Sequence, residues 1–302
     1  MNYREFVDVI AGELQKKLGE EYRIRAVDAK KNNGNILTSL EIRNTKSNVS
    51  PCIYLELYYI CYIMGKATIS DVVAGIETEY RKRAVEEPIN TSFLTDYTKV
   101  RPKLRGKLIN TEMNRDFLET VPHREFLDLS LVYLVAVPKE MFGCHGTVQV
   151  LNKHMKIWGV TEQDLYEVFM GNIESGDDAV LKNIDDILAE LIEAEIDFDM
   201  ETLKTSPKLY AAGTNRWLDG AVEMLNGRFL KKSSDYFGED FFILPSSIHQ
   251  LLFLPVSETD MDYDALADIV KEMNNTEIME DEVLSNHIYY YSSKSGKVSI
   301  AA

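Results

Sequence analysis

The stretch from Phe241 to Val256, FFILPSSIHQLLFLPV, constrains the fold most. Two apolar runs, Phe241–Leu244 and Ile248–Val256, flank Pro245-Ser246-Ser247, and short apolar runs split by turn residues read as two strand segments of a C-terminal sheet. A second local signal lies near the N-terminus. Tyr22–Ala29 and Ile36–Arg43 flank Asn32-Asn33-Gly34-Asn35, and an Asn-Gly pair between strand-like runs marks a hairpin. Ile288–Tyr291 and Lys297–Ile300, around a Ser-Ser-Lys-Ser-Gly turn, predict a third hairpin.

Helical periodicity fills the intervals. Phe6, Val9, Ile10, Leu14 and Leu18 predict an amphipathic helix closed by Gly19. Ser50-Pro51 predicts the start of a helix through Met64, and Ser70 a cap for the next, to about Ala84. Thr161 predicts the cap of a helix over 162–172, and the stripe Leu181, Ile184, Ile187, Leu188, Leu191 and Ile192 a helix after Gly176. Leu129–Val137 is a strongly apolar strand with Thr147–Leu151 as its expected partner. Hairpins mixed with helices in this manner point to an α+β fold rather than a doubly wound parallel sheet. The expected organisation is two packed lobes of mixed or antiparallel sheet with helices, 1–200 and 201–302, divided near Met200–Pro207.

Charge is unevenly placed. The formal net charge is −16, which argues against non-specific binding to nucleic acid. Residues 1–110 carry 18 Lys+Arg against 14 Asp+Glu, whereas 111–302 carry 15 against 35. The basic segment Arg81–Lys107 is therefore the expected contact for a protein partner. From Glu162 to Glu201 there are 14 carboxylates and a single cation, Lys182. Three cysteines without framework spacing suit free thiols in a reducing compartment. The N-terminal decapeptide lacks the basic start and apolar run of a signal peptide, and the longest apolar run, 53–64, is too short to span a membrane. A cytoplasmic protein is expected.

Few residues point to chemistry. Ser246 or Ser247 with His249 could serve as nucleophile and base of a hydrolase, although the G-x-S-x-G elbow is absent. The bland alternative has the serines satisfying turn backbone and the histidine at a sheet edge. Thr214, Asn215 and Arg216 offer a hydroxyl, an amide and a guanidinium to a polar ligand, or cap the helix that follows. Cys144-His145, with His123 and His154, lacks zinc-ligand spacing, and both phosphate-binding glycine loops are missing, so neither metal nor nucleotide cofactor is expected. Glu56, within an apolar run, is expected to pair with a nearby donor rather than act as a catalytic acid.

IYLELYY at 53–59, VPHREFLDLSLVY at 121–133, WGVTEQDLYE at 158–167, Thr214-Asn215 and LPSSIHQLLFLP at 244–255 together resemble a family of uncharacterised bacterial proteins from anaerobic gut species. The resemblance spans nearly the whole chain and implies no activity. In that family an acidic residue commonly follows the histidine, where this protein has Gln250. The expectation is a non-catalytic binding or adaptor protein, with a hydrolase at Ser246/Ser247 and His249, or a small-ligand sensor walled by the Asn215 loop and the 245–249 turn, as alternatives.

Overall fold

A computed structural model describes residues 1–44, 46–85, 88–137, 146–192 and 207–302. The fold is α+β, with three antiparallel sheets among the described residues. The polypeptide divides into two compact units, Met1–Leu94 with Ala136–Thr147, and Thr95–Val135 with Val148–Ala302. This is not the division at residue 200 that the sequence predicts. The strands on either side of that point, Ala179–Asn183 and Tyr210–Thr214, pair in one sheet and so belong to one unit. Residues 200–206 of the predicted boundary lie outside the described residues.

The first unit opens with α1 (Tyr3–Leu18), where Asn2 and Glu5 form a reciprocal capping box. Such a box satisfies two backbone donors that the first helical turn leaves unpaired. β1 (Tyr22–Lys30) and β2 (Ile36–Asn44) form the hairpin in unbroken register, with Asn33 and Gly34 at positive φ in its turn. After β2 the structure departs from the predicted helix at 51–64. Ser50 Oγ donates to the Ile42 carbonyl at 2.8 Å, which ties this segment to β2 instead of capping a helix. Cys52–Tyr54 therefore forms β3 on β2, and α2 begins only at Glu56 (Glu56–Ile63).

Glu56 Oε1 accepts from the Thr38 amide at 2.7 Å and the Tyr3 hydroxyl at 2.9 Å, so its role is to join α1, β2 and α2. Burial, with this carboxylate beside it, pushes the Tyr3 hydroxyl up to about 12. α3 (Ile69–Arg83) starts two residues earlier than Ser70 would set it, because Thr68 and Asp71 form the capping box. Phe6, Ile10 and Leu14 of α1, Leu40 and Ile42 of β2, Ile53, and Ile76 of α3 make a fully buried core. Each of these residues contributes about 1.5–3 kcal/mol by leaving water.

The second unit contains two sheets. α4 (Tyr97–Val100) leads into β4 (Leu104–Asn110), and α5 (Arg115–Leu118) precedes β5 (His123–Phe126) and β6 (Leu129–Val137). β6 is central, with β4 and β5 on it, and β7 (Gly146–Gln149) also pairs with it. α6 (Asn152–Trp158) and α7 (Glu162–Ser175) follow, the latter capped by Thr161 as predicted, with Asp164 completing a capping box.

Next come β8 (Ala179–Asn183), α8 (Ile184–Ile192), β9 (Tyr210–Thr214), a 3-10 turn Gly220–Leu225 and α9 (Gly227–Phe237). β10 (Phe241–Pro245), β11 (Gln250–Pro255), α10 (Tyr263–Thr276), β12 (Tyr289–Ser292) and β13 (Lys297–Ile300) complete the unit. The six-stranded sheet runs β13-β12-β10-β11-β9-β8, leaving β8 at an edge. Both faces of β10 are covered, which explains its uninterrupted apolar sequence. Phe242 and Leu244 pack with Leu266 and Val270 of α10, while Phe241 stacks on Phe253 and Phe237 on the other side.

Candidate functional site

The Pro-Ser-Ser-Ile-His turn joins β10 to β11. The Ser247 amide donates to the Gln250 carbonyl at 3.0 Å, and Ser247 Oγ accepts from the His249 amide at 3.0 Å. His249 Nδ1 accepts from the Asp219 amide at 3.0 Å. A backbone N–H can only donate, so the neutral ring carries its proton on Nε2, 3.7 Å from Glu282 Oε1. Nδ1 is thus closed to a serine, and a proton-bearing Nε2 has no lone pair with which to act as its base. Ser247 is 7% exposed, and neither it nor His249 lines either of the two cavities described below. The turn is also clasped from outside, by the Gly220 amide on the His249 carbonyl and the Ala221 amide on the Ile248 carbonyl. A Cβ at Gly220 would lie 2.4 Å from the His249 oxygen, so this contact requires glycine.

In the loop after β9, the side chains of Thr214 and Asn215 have partners within the protein. Thr214 Oγ1 bonds both the amide and the carbonyl of Leu218, and Asn215 Nδ2 donates to Asp178 Oδ1 at 3.0 Å. Gly220 brings this loop against the 245–249 turn at Thr214, whereas Asn215 is held at the start of β8. The basic segment Arg81–Lys107 is shared between the two units. Arg81 pairs with Glu77, Arg83 with Glu79, Lys99 with Asp96 and Lys107 with Asp219. Cys144 and His145 lie outside the described residues. Among the described residues no group of three His, Cys, Asp or Glu could hold a metal ion, and no helix is long and apolar enough to cross a membrane.

One cluster has no sequence signal. Asp128 accepts from Ser285 Oγ at 2.6 Å, Tyr289 Oη at 2.8 Å and His287 Nδ1 at 3.1 Å. Serine, histidine and aspartate thus meet, but both Ser285 and Asp128 sit at Nδ1. A nucleophilic triad needs the imidazole between the other two, with the serine on Nε2. The geometry here instead fastens the segment before β12 to the β5–β6 turn.

A ligand-sized space lies elsewhere in the second unit. A cavity of about 590 Å³ is bounded by the end of α7 (Glu174, Gly176, Asp177), by β8 (Ala179, Leu181, Asn183) and by α8 (Asp186, Ile187). Its remaining wall is α9, with Asn226, Arg228, Phe229, Lys232 and Tyr236, and Tyr210 of β9. Pockets of this size, with apolar walls and a few converging polar groups, are those that hold small ligands.

α9 is anchored there by its cap. Asn226 Oδ1 accepts from the Phe229 amide at 3.1 Å, and its Nδ2 donates to Glu223 Oε2 at 2.8 Å. Glu223 is 3% exposed, and burial, opposed in part by that hydrogen bond, pushes its carboxyl up to about 7. Asn226 thus separates an acid that titrates near neutrality from the cavity. A second hollow, of about 780 Å³, lies between α4 and α7 and includes Tyr97, Arg101 and Glu167. The Tyr97 hydroxyl is buried without a hydrogen-bond partner.

These features define a class: an α+β protein of antiparallel sheets with an amphipathic cavity beside the edge strand of the larger one. Residues 3–293 match a family described as "Family of unknown function (DUF5688)", and the protein belongs to that family. No curated protein and no solved structure matches the sequence.

Proposed function

We propose that this is a non-catalytic binding protein that holds a small polar ligand in the cavity between β8, α8 and α9. The observation that carries the reading is the cavity itself, in which Arg228, Lys232, Asp186, Tyr210 and Phe229 supply charges of both signs and aromatic surface. His249, by contrast, has its Nδ1 occupied by a backbone donor. A binding role therefore accounts for more of the molecule than a hydrolytic one.

Thermal-shift screening against metabolites tests the reading. A ligand at 100 times its Kd adds about 2.7 kcal/mol of stability. Stabilising compounds are expected to perturb the backbone amide signals of 179–187 and 226–236, and to lose affinity in Lys232→Glu and Tyr236→Ala. Stabilisation that leaves those amides unmoved would place the ligand elsewhere and overturn the proposal.

A further inference from the structure

The pairing register of β8 says what kind of ligand the cavity fits. Asp178 accepts from the Asn215 amide and Leu209 accepts from the Ile184 amide, at the two ends of the β8–β9 ladder. In an antiparallel pair, hydrogen-bonded positions alternate. Val180 and Lys182, opposite Gly213 and Ala211, therefore exchange bonds with β9, and the peptide groups of Ala179 and Leu181 point outward from the sheet. Ala179 and Leu181 are cavity-lining residues. Among the described residues, nothing pairs with β8 on that side.

The opposite wall runs alongside. Arg228 Nη1 donates to the Glu174 carbonyl at 3.1 Å, which places the start of α9 by the residues leading into β8. Tyr236 stacks edge-on against Tyr210, which is opposite Asn183, so the later part of α9 lies by the end of β8. Arg228, Lys232 and Tyr236 are four residues apart and share one helix face. That face spans about 12 Å, and β8 from Ala179 to Asn183 about 13 Å. The two walls thus match in length over about four residues of extended peptide. The cations on this helix face, with Lys182 on β8, belong to a unit that carries 19 Lys+Arg against 35 Asp+Glu. Glu174, Asp177 and Asp186, on the other walls, disfavour a ligand with several negative charges.

Resting on the binding role just proposed, we infer that the ligand is a short extended peptide with one carboxylate, such as the free C-terminus of a polypeptide. It adds a strand to β8 through the peptide groups of Ala179 and Leu181 and sets its carboxylate against Arg228 and Lys232. Main-chain pairing supplies affinity in this mode, and the flanking side chains supply selectivity.

A positional-scanning library of N-acetylated tetrapeptides with free C-termini tests this on the full-length protein by fluorescence competition and amide NMR. Selected peptides should bind at least tenfold more weakly when the inward-facing amide is N-methylated, when the C-terminus is amidated, and when a second acidic residue is added. Arg228→Ala with Lys232→Ala should abolish the preference for the free carboxylate while the amide spectrum stays folded. Binding indifferent to N-methylation, or confined to association of the protein with itself, would overturn the peptide inference. If no peptide binds but small molecules still move the amides of 179–187, the inference falls and the proposed binding role stands. If neither binds, both fall.

Discussion

Two turns in the second unit share the pattern Ser-x-His and the same local bond. In Ser247-Ile248-His249 and in Ser285-Asn286-His287 the serine Oγ accepts from the histidine amide at 3.0 Å. Their imidazoles then diverge. His249 Nδ1 accepts from a backbone amide, whereas His287 Nδ1 donates to the Asp128 carboxylate. The serine hydroxyls diverge as well, because Ser285 Oγ also donates to Asp128. A three-residue pattern fixes the turn, and the element packed against it fixes the chemistry.

The largest expected effect breaks the second turn. Asp128→Ala removes the acceptor of Ser285 and Tyr289, which are 1% and 0% exposed, and should cost about 3–5 kcal/mol in denaturant unfolding. A cost below about 1 kcal/mol would show that the cluster does not hold the segment.

The carboxyl groups beside the two turns provide the next contrast. Three side-chain donors converge on Asp128, and one, Asn226, reaches Glu223 in the segment that clasps the first turn. The folded state keeps the Glu223 proton to about pH 7, while the unfolded polypeptide releases it near 4.5. Its contribution to stability is therefore complete below pH 4.5 and falls by roughly 3 kcal/mol as pH rises to 7. Glu223→Gln should remove that fall, which urea midpoints at about pH 5 and about pH 7.5 would register. An unchanged pH dependence in the variant would refute the assignment.

Gly220→Ala strikes the clasp of the first turn and should cost about 2–3 kcal/mol, since the nearest atoms are backbone and cannot swing aside. The smallest effects separate the serines. Ser285→Ala should cost about 1 kcal/mol more than Ser247→Ala, because it leaves one fewer donor on Asp128. Nitrogen-15 NMR of the rings should find neutral His249 protonated on Nε2 and neutral His287 on Nδ1. The same tautomer at both would erase the distinction.

Features set by neighbours in sequence were legible in advance. The Asn33-Gly34 hairpin and the Thr161 cap appear as predicted, since turn and cap chemistry act within a few residues. Features set by partners far along the sequence were not. Ser50-Pro51 carries a helix-start signal, yet Ser50 bonds to β2, and only the fold reveals that carbonyl. The apolar stripe beginning at Leu181 suits a helix or a strand, and pairing with β9 makes its first part β8. The cavity could not be read at all. Its walls come from 174–187, 210 and 226–236, and neither Glu223 nor Asn226 stands out until the fold buries them.

Asn226 is the link by which occupancy of the cavity would be tied to solution pH. Asn226 lines the cavity, and its Nδ2 supplies the hydrogen bond that favours ionised Glu223. A ligand that draws this amide toward itself raises the affinity of Glu223 for its proton, and by reciprocity protonation of Glu223 strengthens that ligand's hold. Near neutrality such binding is accompanied by uptake of a fraction of a proton. Calorimetry in buffers of different ionisation enthalpy reads that uptake directly.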